Sequence, residues 1–185
     1  MNEKRLENFL EALALKLKMA DKPIANAHGL QHIHMQIISY LGRCNRYSDT
    51  FLMLCEYLGQ TRGTVSKSVD KLQDKGLLEK ITDPDDKRKS HLRLTDKGIS
   101  IKKEQQTLWS SLNAALPADQ QLEINESLQT LLKQFQKLNE NKSFGTCPSC
   151  RYFKTGPKGG ICTLTGEPLL STELELICAH HKDGN

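Results

Sequence analysis

Phe51-Leu52-Met53-Leu54-Cys55-Glu56-Tyr57-Leu58-Gly59-Gln60-Thr61-Arg62-Gly63-Thr64-Val65-Ser66-Lys67-Ser68-Val69-Asp70-Lys71-Leu72 decides the fold. Phe51, Leu54, Cys55 and Leu58 fall three and four residues apart, the spacing of a helix with one apolar face. Ser48 or Asp49 could cap its start, and Gly59 stops it. Thr61 suits a second N-cap. After it, Val65, Val69 and Leu72 form another apolar stripe, and Gly76 stands where a helix C′ residue would. Two short helices joined by Gly59-Gln60-Thr61 form a helix-turn-helix pattern, whose second helix enters the major groove of double-stranded DNA.

The outward faces of that second helix carry Arg62, Thr64, Ser66, Lys67 and Lys71. Arg and Lys suit guanine edges and phosphates, and the hydroxyls suit phosphate oxygens. Next come Leu78 to Ile81 and His91 to Leu94, two short strand-like runs. The polar stretch Asp83 to Lys89 lies between them, so the expectation is a β-hairpin. Its tip offers Lys87, Arg88 and Lys89 to the DNA backbone or minor groove. The charge distribution agrees. The chain has a net charge of +4, yet residues 58–103 alone hold 12 basic and 7 acidic side chains.

Apolar stripes flank this centre. Leu6, Phe9, Leu10, Leu13 and Leu17 form one helix, which Pro23 should end, and Leu30 to Leu41 form a second. Thr95 caps a long helix through Leu116. Pro117 opens another, with Leu128, Leu131, Leu132, Phe135 and Leu138. A winged domain of about 60 residues could not cover all of these stripes, which points to a homodimer.

The residues from about 5 to 140 resemble the MarR family of winged helix-turn-helix regulators. Thr64-Val65-Ser66-Lys67, Val69-Asp70-Lys71-Leu72 and Gly76-Leu77 are similar to its recognition helix. Asp83-Pro84-Asp85-Asp86-Lys87-Arg88 and Leu94-Thr95-Asp96-Lys97-Gly98 are similar to its wing and following cap. Gln60 departs from the usual apolar turn residue, and Lys87 from a common arginine. The resemblance implies a repressor, homodimeric through Leu6 to Met19 and Leu112 to Leu138, on a pseudo-palindromic operator. It implies Asp86 and Arg88 as the wing pair, with Arg88 in the minor groove. It also implies a pocket for a small-molecule effector between helices.

Four of the six cysteines (Cys147, Cys150, Cys162 and Cys178) fall in the last 39 residues, among glycines and few apolar side chains. Such a segment cannot hold itself by a core, and a bound metal would replace one. The Cys-x2-Cys step brings two thiolates to one metal. Cys162 and Cys178 stand singly, which leans slightly towards an iron–sulfur cluster over Zn2+. The segment is loosely similar to small cluster-binding domains reading CxxC-aromatic, Gly-x-Cys and a last Cys, through Tyr152, Phe153 and Gly160-Ile161-Cys162. His180 or His181 could replace one cysteine. Two disulfides are the plainer alternative, less suited to a cytoplasmic protein.

The expected architecture is therefore mainly α with a small β-hairpin wing. A winged helix-turn-helix and dimerisation domain spans 1–140, a linker 141–146 and a Cys-rich module 147–182. In a sensing regulator, cofactor loss would alter the terminal-helix geometry and so the spacing of the recognition helices. The alternative is a small-molecule-responsive regulator whose module is a structural zinc or protein-interaction element. Composition is ordinary for a globular protein, with 37% hydrophobic and 26% charged residues. No membrane span or continuous apolar leader is evident, which points to the cytoplasm. No nucleophile triad, phosphate loop or carboxylate pair suggests an enzyme. Cys55 reads as a small core residue and Cys44 as an exposed redox thiol. His28 and His32, four apart with His34 nearby, would share a helix face as a weak metal site.

Overall fold

The computed structural model describes residues 3–84, 86–138, 144–156 and 159–184. Its helices follow the apolar stripes: α1 (Glu3–Ala20), α2 (Lys22–Ala27), α3 (His32–Leu41), α4 (Phe51–Leu58) and α5 (Arg62–Asp74). The strands β1 (Leu78–Thr82) and β2 (Ser90–Leu94) pair antiparallel, Leu78 opposite Leu94 and Thr82 opposite Ser90. Two long helices follow, α6 (Asp96–Ala114) and α7 (Ala118–Leu138).

One core ties the winged centre together. Met35, Ile37, Ile38 and Tyr40 of α3 meet Leu54 of α4 and Val65, Val69 and Leu72 of α5, all fully buried. Leu78, Leu92 and Ile101 join them from the hairpin and α6. The approach of α6 is close. A Cβ on Gly98 would sit 2.2 Å from the Leu77 carbonyl oxygen, so only glycine fits there.

The starts of the helices partly differ from expectation. Thr50, not Ser48 or Asp49, caps α4, its hydroxyl accepting the Met53 N–H at 3.5 Å. Pro23 does not simply end α1; it sits in the first turn of α2, where its missing N–H costs nothing. As α2 ends at Ala27 and α3 starts at His32, His28 just follows one helix and His32 opens the next, so they do not share one helix face. Thr61 and Thr95 do cap α5 and α6, accepting the N–H groups of Thr64 and Gly98.

The C-terminal segment forms a three-stranded antiparallel sheet of β3 (Phe153–Gly156), β4 (Gly159–Cys162) and β5 (Glu167–Leu170), which the cysteine spacing does not foretell. Of the expected linker, residues 141–143 lie outside the described residues. Phe144 packs edge-on against Tyr57 of α4, with centroids 4.9 Å apart, and Gly145 bridges to Cys178.

Candidate nucleic-acid interface and cysteine cavity

Because Val65, Ser68, Val69 and Leu72 are buried, the opposite side of α5 faces outward. Arg62, Thr64, Lys67 and Lys71 are exposed and Ser66 is half-buried. Two of these hydroxyls already have local partners. Thr64 Oγ1 lies 2.9 Å from Thr61 Oγ1 in the cap, and Ser66 donates to Asp70 at 3.4 Å. Asp70 also pairs with Lys80 at 2.8 Å, which ties α5 to β1 and holds the Asp70 carboxyl below its usual range.

At the wing tip, Lys87, Arg88 and Lys89 are all exposed. The Arg88 guanidinium donates back to Asp86, Nε to Oδ1 at 3.0 Å and Nη2 to Oδ2 at 3.3 Å. The guanidinium lowers the Asp86 pKa. Asp85 lies outside the described residues. The base of the wing is held differently: the His91 ring sits between two carboxylates, Nδ1 against Asp49 and Nε2 against Asp83 at 2.9 Å. Those hydrogen bonds raise the His91 pKa, Asp83 contributing most.

Cys147, Cys150, Cys162 and Cys178 all line one cavity of about 30 Å³. Around them stand Tyr152, Phe153, Leu164 and Leu169, an apolar wall broken by Asn45, Tyr47, Thr165 and His180. Burial, then the neighbouring Cys178, Cys150 and Cys162, push the Cys147 thiol up to about 11. Four thiols around one cavity form a donor set that a metal or cluster would bind as thiolates. Among the described residues, no three His, Cys, Asp or Glu side chains are arranged to hold a single metal ion.

Of the two histidines, His180 lines this cavity. His181 is buried elsewhere, its Nε2 2.9 Å from Ser149 Oγ, and its ring packs against Gly145. Sequence reasoning missed Asn45 and Tyr47, which line the cavity from the α3–α4 loop. No pattern in the sequence links them to cysteines more than 100 residues away. Cys55 is buried in the core as expected. Cys44 is only partly exposed, and burial pushes its thiol up to about 12, so it is a poor redox thiol. His28 does have a carboxylate partner, Glu104 at 3.1 Å, and His34 is buried with its Nδ1 accepting the Gln31 N–H. No described helix is long and apolar enough to cross a membrane.

None of the curated proteins matches the sequence. Solved structures do match by fold. A MarR transcriptional regulator from Methanosarcina mazei Go1 is 19% identical, with a TM-score of 0.62 over 74% of this chain and 99% of that one. FabT of Streptococcus pneumoniae, solved in complex with DNA, is 20% identical, with a TM-score of 0.58 over 74% and 99%. The apo form of MarR from E. coli is 20% identical, with a TM-score of 0.53 over 71% and 98%. Residues 28–89 match the model of the MarR family, and the fold around them is the one that these solved regulators share.

Proposed function

We propose that the chain is a homodimeric transcriptional repressor of the MarR type that binds a pseudo-palindromic operator in the cytoplasm. The observation that carries this reading is the exposed basic face of α5 beside the basic tip of the β1–β2 wing, on a MarR-type fold. Lys67 and Lys71, with Arg62, Thr64 and Ser66, face the major groove. Lys87, Arg88 and Lys89 follow the backbone, and Arg88 leaves Asp86 for the minor groove. The exposed apolar faces of α1, α6 and α7 supply the dimer contact.

The test uses fluorescence anisotropy on a duplex selected by the protein from random sequences. Arg88→Ala and Lys67→Ala should each weaken binding about tenfold, as removing one good DNA-binding side chain costs roughly 1–3 kcal/mol. The slope of log affinity against log salt should become shallower by about 0.9 for each phosphate no longer neutralised. Unchanged affinity and slope in both variants would refute this placement of helix and wing.

The four cysteines serve as ligands of an iron–sulfur cluster, favoured over Zn2+ because Cys162 and Cys178 stand singly rather than as a second Cys-x2-Cys pair. Bound there, a cluster would supply reversible oxidation, and either group would replace the missing core of the module. Tyr152, Phe153, Leu164 and Leu169 wall the site. Protein purified without oxygen should contain iron and sulfide and absorb visible light. A colourless protein with one zinc per chain would assign the site to zinc.

A second reading has an observation of its own. A cavity of about 460 Å³ opens between α1 and the α2–α3 region, lined by Leu15, Met19, Ala25, Leu30, Lys18 and His32 among others. A small apolar molecule bound there would make the chain a ligand-responsive regulator, with the cysteine module as a structural element. DNA release by such a ligand with the cysteines alkylated is the result that would favour it.

A further inference from the structure

The cysteine module does not simply trail from α7; it is laced into the loop between α3 and α4. The Asn45 N–H donates to the Ile177 carbonyl at 2.9 Å, and the Ile177 N–H donates to the Arg43 carbonyl at 2.8 Å. That is a short parallel bridge between Cys44 and Ile177, and the Ile177 side chain packs against the winged core. The Ala179 N–H donates to Ser48 Oγ at 2.8 Å. Arg46 pairs with Glu167 at 3.0 Å and with Glu173 at 3.4 Å. Asn45 and Tyr47 then close the cysteine cavity itself.

The same loop is hydrogen-bonded to the wing a few residues later. The Asp49 carbonyl accepts the Leu92 N–H at 2.7 Å, Thr50 bridges to His91, and the Asp49 carboxylate holds the His91 ring. Residues 43–50 are therefore paired with the module at one end and with β2 at the other. By contrast, the contacts between the module and α7 among the described residues include side-chain ones, Lys133 with Asp183 at 3.4 Å and Gln136 Nε2 with the Phe144 carbonyl at 2.9 Å. Single side-chain contacts of that kind transmit little, whereas segments joined by backbone hydrogen bonds move together.

We propose that residues 43–50 are the connector through which occupancy of the four-cysteine site sets the position of the wing. The inference rests on the cofactor reading above. It places the signal in the wing of each subunit rather than in the terminal helices. Filling the site fixes the cysteine loops and hence the placement of Asn45, Tyr47 and Ile177. Emptying it frees them, and the Asp49 end of the connector relaxes its hold on β2. The cofactor must favour the held wing over the relaxed one for the coupling to exist.

Hydrogen exchange on the full chain tests this, comparing protein reconstituted without oxygen with ferrous iron and sulfide, or with zinc, against protein stripped by a chelator. Stripping should speed exchange at least about fivefold at Asn45 and through the β1–β2 hairpin, the lower end of typical coupling factors, with α1 unaffected. The double variant Arg46→Ala/Ser48→Ala lacks two anchors of the module on the loop. It should still bind the cofactor, with the hairpin difference falling below about twofold. His91→Gln should keep the difference at Asn45 and lose it in the hairpin. A hairpin that exchanges equally with and without bound cofactor overturns the route, as does an undiminished difference in both variants. A response confined to α1 and α7 overturns it too. A chain that takes up neither iron nor zinc overturns the cofactor reading and this inference with it.

Discussion

His91 shows how one side chain can carry the docking of an element. It joins β2 to the α3–α4 loop through Asp49 and to the start of the wing turn through Asp83. Both carboxylates favour the imidazolium, so the folded pKa lies above the ordinary 6.5. A raised folded pKa contributes stability that is fully present below pH 6.5 and is lost as pH climbs through the folded value. Thermal stability should therefore fall as pH rises from about 6.5 through the raised folded pKa, and His91→Gln should remove most of that slope. An identical pH profile for the variant would show that the two carboxylates do not stabilise the imidazolium. The neighbouring groups work in the opposite sense. Asp86 is held ionised by Arg88, and its contribution is lost as pH falls through its lowered pKa, well outside the window of the histidine.

Among the elements, those with a strong periodic signal were readable from sequence. Val65, Val69 and Leu72 repeat at helical spacing and are all fully buried on α5. The hairpin was readable because polar turn residues separate two short apolar runs, and its register follows. The short helix α2 was not, because Pro23 is a stop signal in most contexts and here fills a first turn instead. The cap of α4 was misplaced by one or two residues for a related reason. Ser48, Asp49 and Thr50 are all good caps in isolation, and tertiary contacts decide between them. Ser48 is committed to Ala179 and Asn45, and Asp49 to His91, which leaves Thr50 for the helix. The four cysteines were picked out together by spacing, and they do line one cavity. Their docking surface was invisible, because it consists largely of backbone hydrogen bonds between residues such as Asn45 and Ile177, which any side chains could make.

At the scale of the whole molecule, the unsatisfied feature is apolar surface. α7 buries no side chain in its own chain, although Leu128, Leu132 and Phe135 are 44%, 55% and 49% exposed on it. On α1, Phe9 is 61% and Leu13 45% exposed, and on α6 Trp109 and Leu112 are similarly open. These residues lie at helical spacing, so each helix presents a continuous stripe rather than scattered side chains. Stripes of this size on three helices need a partner, and a second copy offers matching stripes through a two-fold axis. The same axis would set two α5 helices side by side for the two halves of a palindrome. The full chain should therefore sediment as a dimer at about 10 μM, as interfaces of this apolar kind commonly associate well below that. Leu128→Glu/Leu132→Glu places two carboxylates in the shared stripe and should shift the chain to monomer. Since neither residue lies in the winged core, the helical signal of α3 to α5 should survive. Affinity for a full operator should fall much more than affinity for a half-site, because only the dimer engages both halves. A chain that sediments as a monomer at this concentration would refute the dimer, and a double variant that remains dimeric would place the interface elsewhere.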